Sequence, residues 1–257
     1  MNIKEFVILY LFYFTIPFRM IAILLTYFIA VLIGYICANK KLDQNLLHYS
    51  NKFIMKLLSI NPIYDVENIE SYNRHINSNE KFIVVFNHSS LIEPFLILSL
   101  FKNVSYLLSP GLPAYIPFFN IIYKKFNYIY IEKNKTTQQI IDFTNNREKG
   151  SGALFIAPGE GRVSDDPDEN MISKFRSGAF VGKFPILPII IKFENNLLDF
   201  NFEKGENVLH FIFKMFLKNN HNVKVKVLDM VYPQKEDTVD TFKTNVFNIM
   251  SEEFKIL

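Results

Sequence analysis

The chain has 257 residues, 49% of them hydrophobic and 21% charged, and a net charge of +3. This composition excludes an intrinsically disordered chain. A single cysteine, Cys37, excludes a disulfide scaffold, and so small a positive excess gives no electrostatic footprint for nucleic acid.

The mean hydropathy of +0.12 is high for a soluble domain, and its source lies at the N-terminus. From Phe6 to Ala38 the one charged residue is Arg19. The run from Phe6 to Phe18 is too short to span a bilayer as a straight helix, whereas Met20 to Ala38 is long enough, since about 20 residues are needed. The whole stretch exceeds the apolar region of a signal peptide, and Ile36-Cys37-Ala38 is a poor cleavage site. Residues 1–40 are therefore expected to form a retained membrane anchor. Two shapes remain open: one spanning helix, or a helical hairpin bending near Pro17 and Arg19. Lys40 and Lys41 follow at once and place the rest of the chain on the cytosolic side.

Residues 41–60 are expected to form an amphipathic connecting helix. Leu42, Leu46, Tyr49, Phe53 and Leu57 recur at helical intervals, with Lys52 and Lys56 off that stripe. Packing on the domain core and lying in the headgroup layer are both open for this segment. The remaining residues, 61–257, alternate strand and helix signals. Strands are expected at 82–86, 104–108, 128–131, 153–157, 185–193 and 223–231. Helices are expected at 91–101, 113–126, 136–148, 208–217 and 239–254. This alternation implies one α/β domain with a mostly buried mixed sheet flanked by helices.

Most chemical motifs are absent. The histidines His48, His75, His88, His210 and His221 are scattered without metal-ligand spacing, and no metal site is expected. There is no nucleophile elbow. Gly159-Glu160-Gly161 lacks the third glycine of a dinucleotide turn, Ser164 standing there instead. Sequons at Asn87, Asn103 and Asn134 are expected from the abundance of asparagine and would go unused in a cytosolic domain. The acidic stretch Asp165–Asn170 lacks the spacing of a calcium loop.

The informative segment is Asn87-His88-Ser89-Ser90-Leu91-Ile92-Glu93-Pro94. It places a histidine at the C-terminal end of an apolar strand, where α/β sheets usually bind ligands, and a carboxylate five residues later. A carboxylate beside an imidazole fixes its tautomer and stabilises its protonated form, which makes the histidine a competent general base. The same residues also allow a purely structural role. Ser90-Leu91-Ile92-Glu93 can form a capping box, with Glu93 bonding back to the Ser90 backbone.

The Asn87-His88-x4-Glu93 pattern resembles the His-x4-Asp motif of the glycerolipid acyltransferases, the 1-acylglycerol-3-phosphate and lysophospholipid acyltransferase family. Further blocks follow in the family's order. Tyr130-Ile131-Glu132-Lys133 sits where the family has an apolar strand ending in a basic residue. Ala157-Pro158-Gly159-Glu160-Gly161-Arg162 resembles its Pro-Glu-Gly block. Lys174–Phe180 and Phe184–Pro188 resemble the two blocks after that, and Val223–Pro233 is similar to the tail of the lysophosphatidylcholine and lysophosphatidylethanolamine branch. The resemblance runs from about residue 60 to the C-terminus. It departs from the family pattern in three places: Glu93 replaces aspartate, Gly159 separates the proline from Glu160, and Arg162 follows Gly161 directly, with Val163 where many members carry arginine.

The resemblance implies a membrane-bound enzyme of phospholipid biosynthesis or remodelling. It would move a fatty acyl group from acyl-CoA or acyl carrier protein to the free hydroxyl of a lysophospholipid. His88 would act as general base oriented by Glu93; Lys133 and Arg162 would hold the acceptor phosphate, and Glu160 and Gly161 would shape its pocket. Acyl-CoA is a co-substrate in this scheme and no other cofactor is needed. The membrane would be the endoplasmic reticulum in a eukaryote. Two other functions stay open: a catalytically inactive relative that binds lipid, and an acyltransferase for another acceptor such as glycerol 3-phosphate.

Overall fold

The computed structural model describes residues 3–36, 40–108, 129–132, 135–159, 174–194, 208–216 and 220–257. Its centre is strand β2 (Ile83–Phe86), every residue of which is buried. A strand covered on both faces needs no polar alternation, which is why this segment reads as an unbroken apolar run. Ile83 and Val85 face one core, and Val84 and Phe86 face the other.

Around β2 lie β1 (Ile60–Tyr64), β3 (Val104–Leu108), β4 (Ile129–Tyr130), β5 (Ala153–Ile156), β6 (Ile186–Phe193) and β7 (His221–Val227), in the spatial order β1-β7-β6-β2-β5-β3-β4. Among the described strand pairs only β6 and β7 run antiparallel; β2 is parallel to both of its neighbours, with Val85 level with Ile156 of β5 and Pro188 of β6. The sheet is therefore mixed, as expected. In β7 the alternation is explicit, with Val223, Val225 and Val227 in the core and Lys224 and Lys226 less buried.

Helices cover both faces. The first face carries α2 (Lys40–Leu57), α3 (Val66–Ile76), α4 (Glu93–Leu100) and α6 (Val208–Met215), which bury Ile54, Tyr72, Leu96 and Phe211. The second carries α5 (Thr136–Asn145) and α7 (Val239–Ile256), which bury Ile140, Phe242, Val246 and Met250. At the start of α7 the Thr238 side chain and Thr241 form a reciprocal capping box.

Two elements, β1 and α3, are missing from the sequence expectations. Pro62 weakens the strand signal of β1, and the structure places β1 at the sheet edge, where a strand tolerates proline. α3 starts at the N-cap Asp65, whose carboxylate accepts from the Glu67 N–H at 3.0 Å. The expected helix over 113–126 lies outside the described residues.

The N-terminal stretch forms one helix, α1 (Ile3–Ile36), with Pro17 inside it, so the hairpin bend near Pro17 and Arg19 is not present. Tyr13–Ala30 is long and apolar enough to cross a bilayer. Arg19 does not mark a bend. Its Nε donates to the Leu57 carbonyl at 2.5 Å and its Nη2 to Ser59 Oγ at 2.7 Å, which ties α1 to the end of α2. Ile16 and Ile23 rest on the core, while Phe14, Phe18, Ile21, Leu24 and Phe28 face outward.

The face of α2 also differs from expectation. Tyr49 and Phe53 are exposed, and the side turned inward carries Asn51, Ile54 and Met55, with Leu58 just beyond the helix end. The segment has apolar residues on more than one side, so periodicity alone does not choose the buried one. Packing against α4 and α1 does.

Candidate active site

The site begins where β2 stops. Asn87 is buried, and its side chain bonds to β6 with both ends: Nδ2 donates to the Ile191 carbonyl and Oδ1 accepts from the Ile191 N–H, each at 2.8 Å. This side-chain amide stands in for a ladder rung, so the strand edge stays satisfied while the backbone turns away. The turn delivers His88 to the C-terminal edge of the parallel strands. Its ring lies edge-on to Phe86, with centroids 6.3 Å apart.

His88 Nδ1 lies 2.6 Å from Glu93 Oε2. The Glu93 side chain is wholly buried, whereas that of His88 keeps 25% of its surface exposed. The other carboxylate oxygen, Oε1, accepts from the Ser89 N–H at 2.9 Å and from Ser89 Oγ at 3.0 Å. A buried carboxylate is tolerated only when its oxygens are paired, and here both are. Its position on the first residue of α4 adds the favourable end of the helix dipole. An ionised carboxylate only accepts hydrogen bonds, so Nδ1 carries the proton and Nε2 is the ring nitrogen able to take another.

The capping box does not form. Glu93 takes the backbone N–H of Ser89 rather than that of Ser90, and Ser90 Oγ accepts from Ile92 N–H at 3.3 Å. The residue before the helix, Ile92, makes no side-chain cap. The start of α4 is held instead by Tyr106 of β3, whose hydroxyl donates to the Pro94 carbonyl at 2.8 Å.

Of the six site residues expected from the sequence, the structure brings His88 and Glu93 together. Lys133, Glu160, Gly161 and Arg162 lie outside the described residues. The strands that lead to them are described. β5, which precedes Glu160 in the chain, runs parallel beside β2, with Ile156 level with Val85. β4, which leads to Lys133, stands three strand positions from β2, about 14 Å at the usual spacing. Sequence reasoning misses Asn87, Ser89 and Tyr106 as supports. In the sequence Asn87 heads the histidine motif and a sequon but has no role assigned, and its buried, doubly bonded amide excludes it as a glycosylation acceptor. Direct adjacency to the strand-end histidine is the available signal for Asn87 and Ser89; none points to Tyr106.

The structure also holds a second histidine–carboxylate pair with the same spacing. His75 Nδ1 lies 3.0 Å from Glu80 Oε2, with side chains 24% and 25% exposed. Glu80 also accepts from the Tyr232 hydroxyl at 2.7 Å. This pair joins the last turn of α3 to the segment before β2, at the end of the sheet opposite His88, where Arg147 grips the carbonyls of Ile76 and Glu80 at 2.7 and 2.6 Å. It is a surface link within a structural knot. The other histidines bond to backbone where bonds are described: His48 Nδ1 to the Leu98 carbonyl at 3.1 Å and His221 Nε2 to that of Met215 at 2.9 Å. Among the described residues no three His, Cys, Asp or Glu side chains are grouped to hold a metal ion.

Comparison with known proteins finds similarity in a family model, in a curated relative and in solved structures. The acyltransferase family model matches residues 65–192. A lysophospholipid acyltransferase of Arabidopsis thaliana is 27% identical over 170 residues, covering 61% of this chain. The chain spans 29% of that relative's length. The crystal structure of the 1-acyl-sn-glycerophosphate acyltransferase PlsC from Thermotoga maritima superimposes with a TM-score of 0.68 at 17% identity, covering 99% of this chain and 96% of that one. The two chains share a fold.

Proposed function

Because the chain belongs to the glycerolipid acyltransferase family through residues 65–192, we propose that it transfers a fatty acyl group from acyl-CoA, or acyl carrier protein, to the free hydroxyl of a lysophospholipid. The observation that carries this reading is the 2.6 Å contact between His88 and the buried Glu93 carboxylate at the end of β2. The acceptor hydroxyl attacks the thioester carbonyl while His88 Nε2 takes its proton. Glu93 keeps the proton on Nδ1 and offsets the charge of the imidazolium. The C–S bond then breaks, and the thiolate leaves with the proton returned from His88. The thioester is already activated, so the enzyme needs no covalent nucleophile.

In this reading Lys133 and Arg162 hold the acceptor phosphate through charge-assisted bonds, and Glu160 and Gly161 shape its pocket, Gly161 through close backbone approach. Residues 1–40 anchor the enzyme, 41–60 connect, and 61–257 form the catalytic domain on the cytosolic face of the membrane. The outward apolar face of α1 supports the anchor, since a patch of that size on a soluble protein is a liability.

The test uses the purified full chain with labelled acyl-CoA, a panel of lysophospholipids and glycerol 3-phosphate. Transfer to at least one lysophospholipid is expected, with His88→Ala lowering turnover by about 10²–10⁴-fold. Folded protein that transfers to no acceptor sinks the proposal. Turnover unchanged in His88→Ala sinks the assignment of the base.

A further inference from the structure

We propose that Ser89 is a positioning residue that makes the longer acidic side chain at position 93 workable. The inference rests on the catalytic reading above and deepens it. Where the family motif has aspartate, this chain has Glu93, whose extra methylene adds a rotatable bond. Each added rotor must be frozen to hold a carboxylate in one geometry. Packing excludes water from the Glu93 side chain, but apolar neighbours do not set the twist of a carboxylate group. Hydrogen bonds do, and three reach it: one from His88 Nδ1 at 2.6 Å and two from Ser89.

The two Ser89 bonds converge on one oxygen, Oε1, from the backbone N–H at 2.9 Å and the hydroxyl at 3.0 Å. With Oε1 held twice, the plane of the carboxylate is fixed, and Oε2 is left aimed at His88. The backbone N–H is present whatever residue stands at 89. The hydroxyl is specific to serine or threonine. Ser89 thus acts on His88 through Glu93, without contact to the reacting atoms being required.

Threonine and valine at this position have nearly the same shape and differ in the hydroxyl, so Ser89→Thr and Ser89→Val separate hydrogen bonding from packing. Initial rates are measured on the full chain with acyl-CoA and the acceptor that wild type uses. Ser89→Thr is expected within about twofold of wild type, and Ser89→Val is expected to lose about tenfold in kcat, the size of one bond to a charged group. KM for donor and acceptor should stay within about twofold, and the thermal midpoints of the two variants should agree. In a Glu93→Gln background the same Ser89→Val change should cost less than about twofold, because the carboxylate it serves is gone.

Valine turning over as fast as threonine, or losing as much in the Glu93→Gln background, overturns the proposal. The His88 Nδ1 proton resonance gives a reading that does not depend on turnover: kept in Ser89→Thr and shifted or broadened in Ser89→Val if the proposal holds, unmoved in both if it does not. A wild-type protein that transfers to no acceptor overturns the assigned activity instead, and the proton resonance still decides whether Ser89 positions the pair.

Discussion

Shortening Glu93 to aspartate, the family's usual residue, is expected to lower the proposed transfer activity. The substitution removes one methylene and draws the carboxylate back by roughly one C–C bond length, about 1.5 Å. The His88 contact at 2.6 Å then opens to about 4 Å, beyond hydrogen-bond range. Helix α4 cannot easily advance to close the gap, because Tyr106 pins the Pro94 carbonyl and Leu96 and Ile97 are locked in the core. A hydrogen bond to a charged group is worth about 1.5–3 kcal/mol, so kcat should fall by a factor of about 10–150. Glu93→Gln keeps the length but not the charge. One end of the amide becomes an NH2 group, which must face either the Ser89 N–H or His88 Nδ1, and both of those positions call for an acceptor. Its loss should match or exceed that of aspartate, at about 10²–10³-fold. Initial rates at saturating substrate, with thermal melts to confirm folding, measure both. If both variants turn over within twofold of wild type, the carboxylate serves only the helix and the catalytic reasoning fails.

Asn87→Ala leaves the N–H and carbonyl of Ile191 buried without their side-chain partner. A cost of about 3 kcal/mol should appear in chemical denaturation as a lower midpoint with unchanged slope; a loss below about 0.5 kcal/mol would show that the strand end relaxes. Burial of His48 between α2 and α4, followed by repulsion from Lys102 and Lys52, holds its ionisation below the usual histidine range, although its bond to the Leu98 carbonyl pulls the other way. A lowered folded-state value means the unfolded chain binds the proton more readily, so this contribution is complete above about pH 6.5 and is lost as pH falls below it. Thermal midpoints recorded from pH 7.5 to 5 should fall less in His48→Gln than in wild type; equal slopes would remove His48 from the balance.

The buried strands are legible in the sequence because chemistry and burial coincide in them. Phe82–Phe86, Ala153–Ala157 and Pro185–Phe193 are apolar runs that only a sheet covered on both sides accommodates, and β2, β5 and β6 occupy them. Elements whose local signal conflicts with their role are harder to see. Pro62 conceals β1 because an edge strand can spare one N–H, and Tyr49 and Phe53 suggest the wrong face of α2 because an exposed aromatic looks like a buried one in a helical pattern. Arg19 shows the same limit, since a lone charge in an apolar helix reads as a bend until its partners Leu57 and Ser59 are placed.

By itself the sequence determined an apolar N-terminal helix, an α/β sheet and a histidine at a strand end with a carboxylate in reach, because hydropathy and short-range spacing are properties of neighbours along the chain. Two His-x4-Glu pairs share one spacing, and the sequence singled out His88 and Glu93 because His88 follows an apolar strand. Only the tertiary structure shows which carboxylate is buried against its histidine. One pair sits at the C-terminal edge of the parallel strands with its carboxylate wholly buried and held by Ser89. The other lies partly exposed at the opposite edge. Whether a carboxylate meets its histidine or caps a helix, and whether water reaches it, depends on strands and helices distant in sequence: β6 through Asn87, β3 through Tyr106, and α2 against α4.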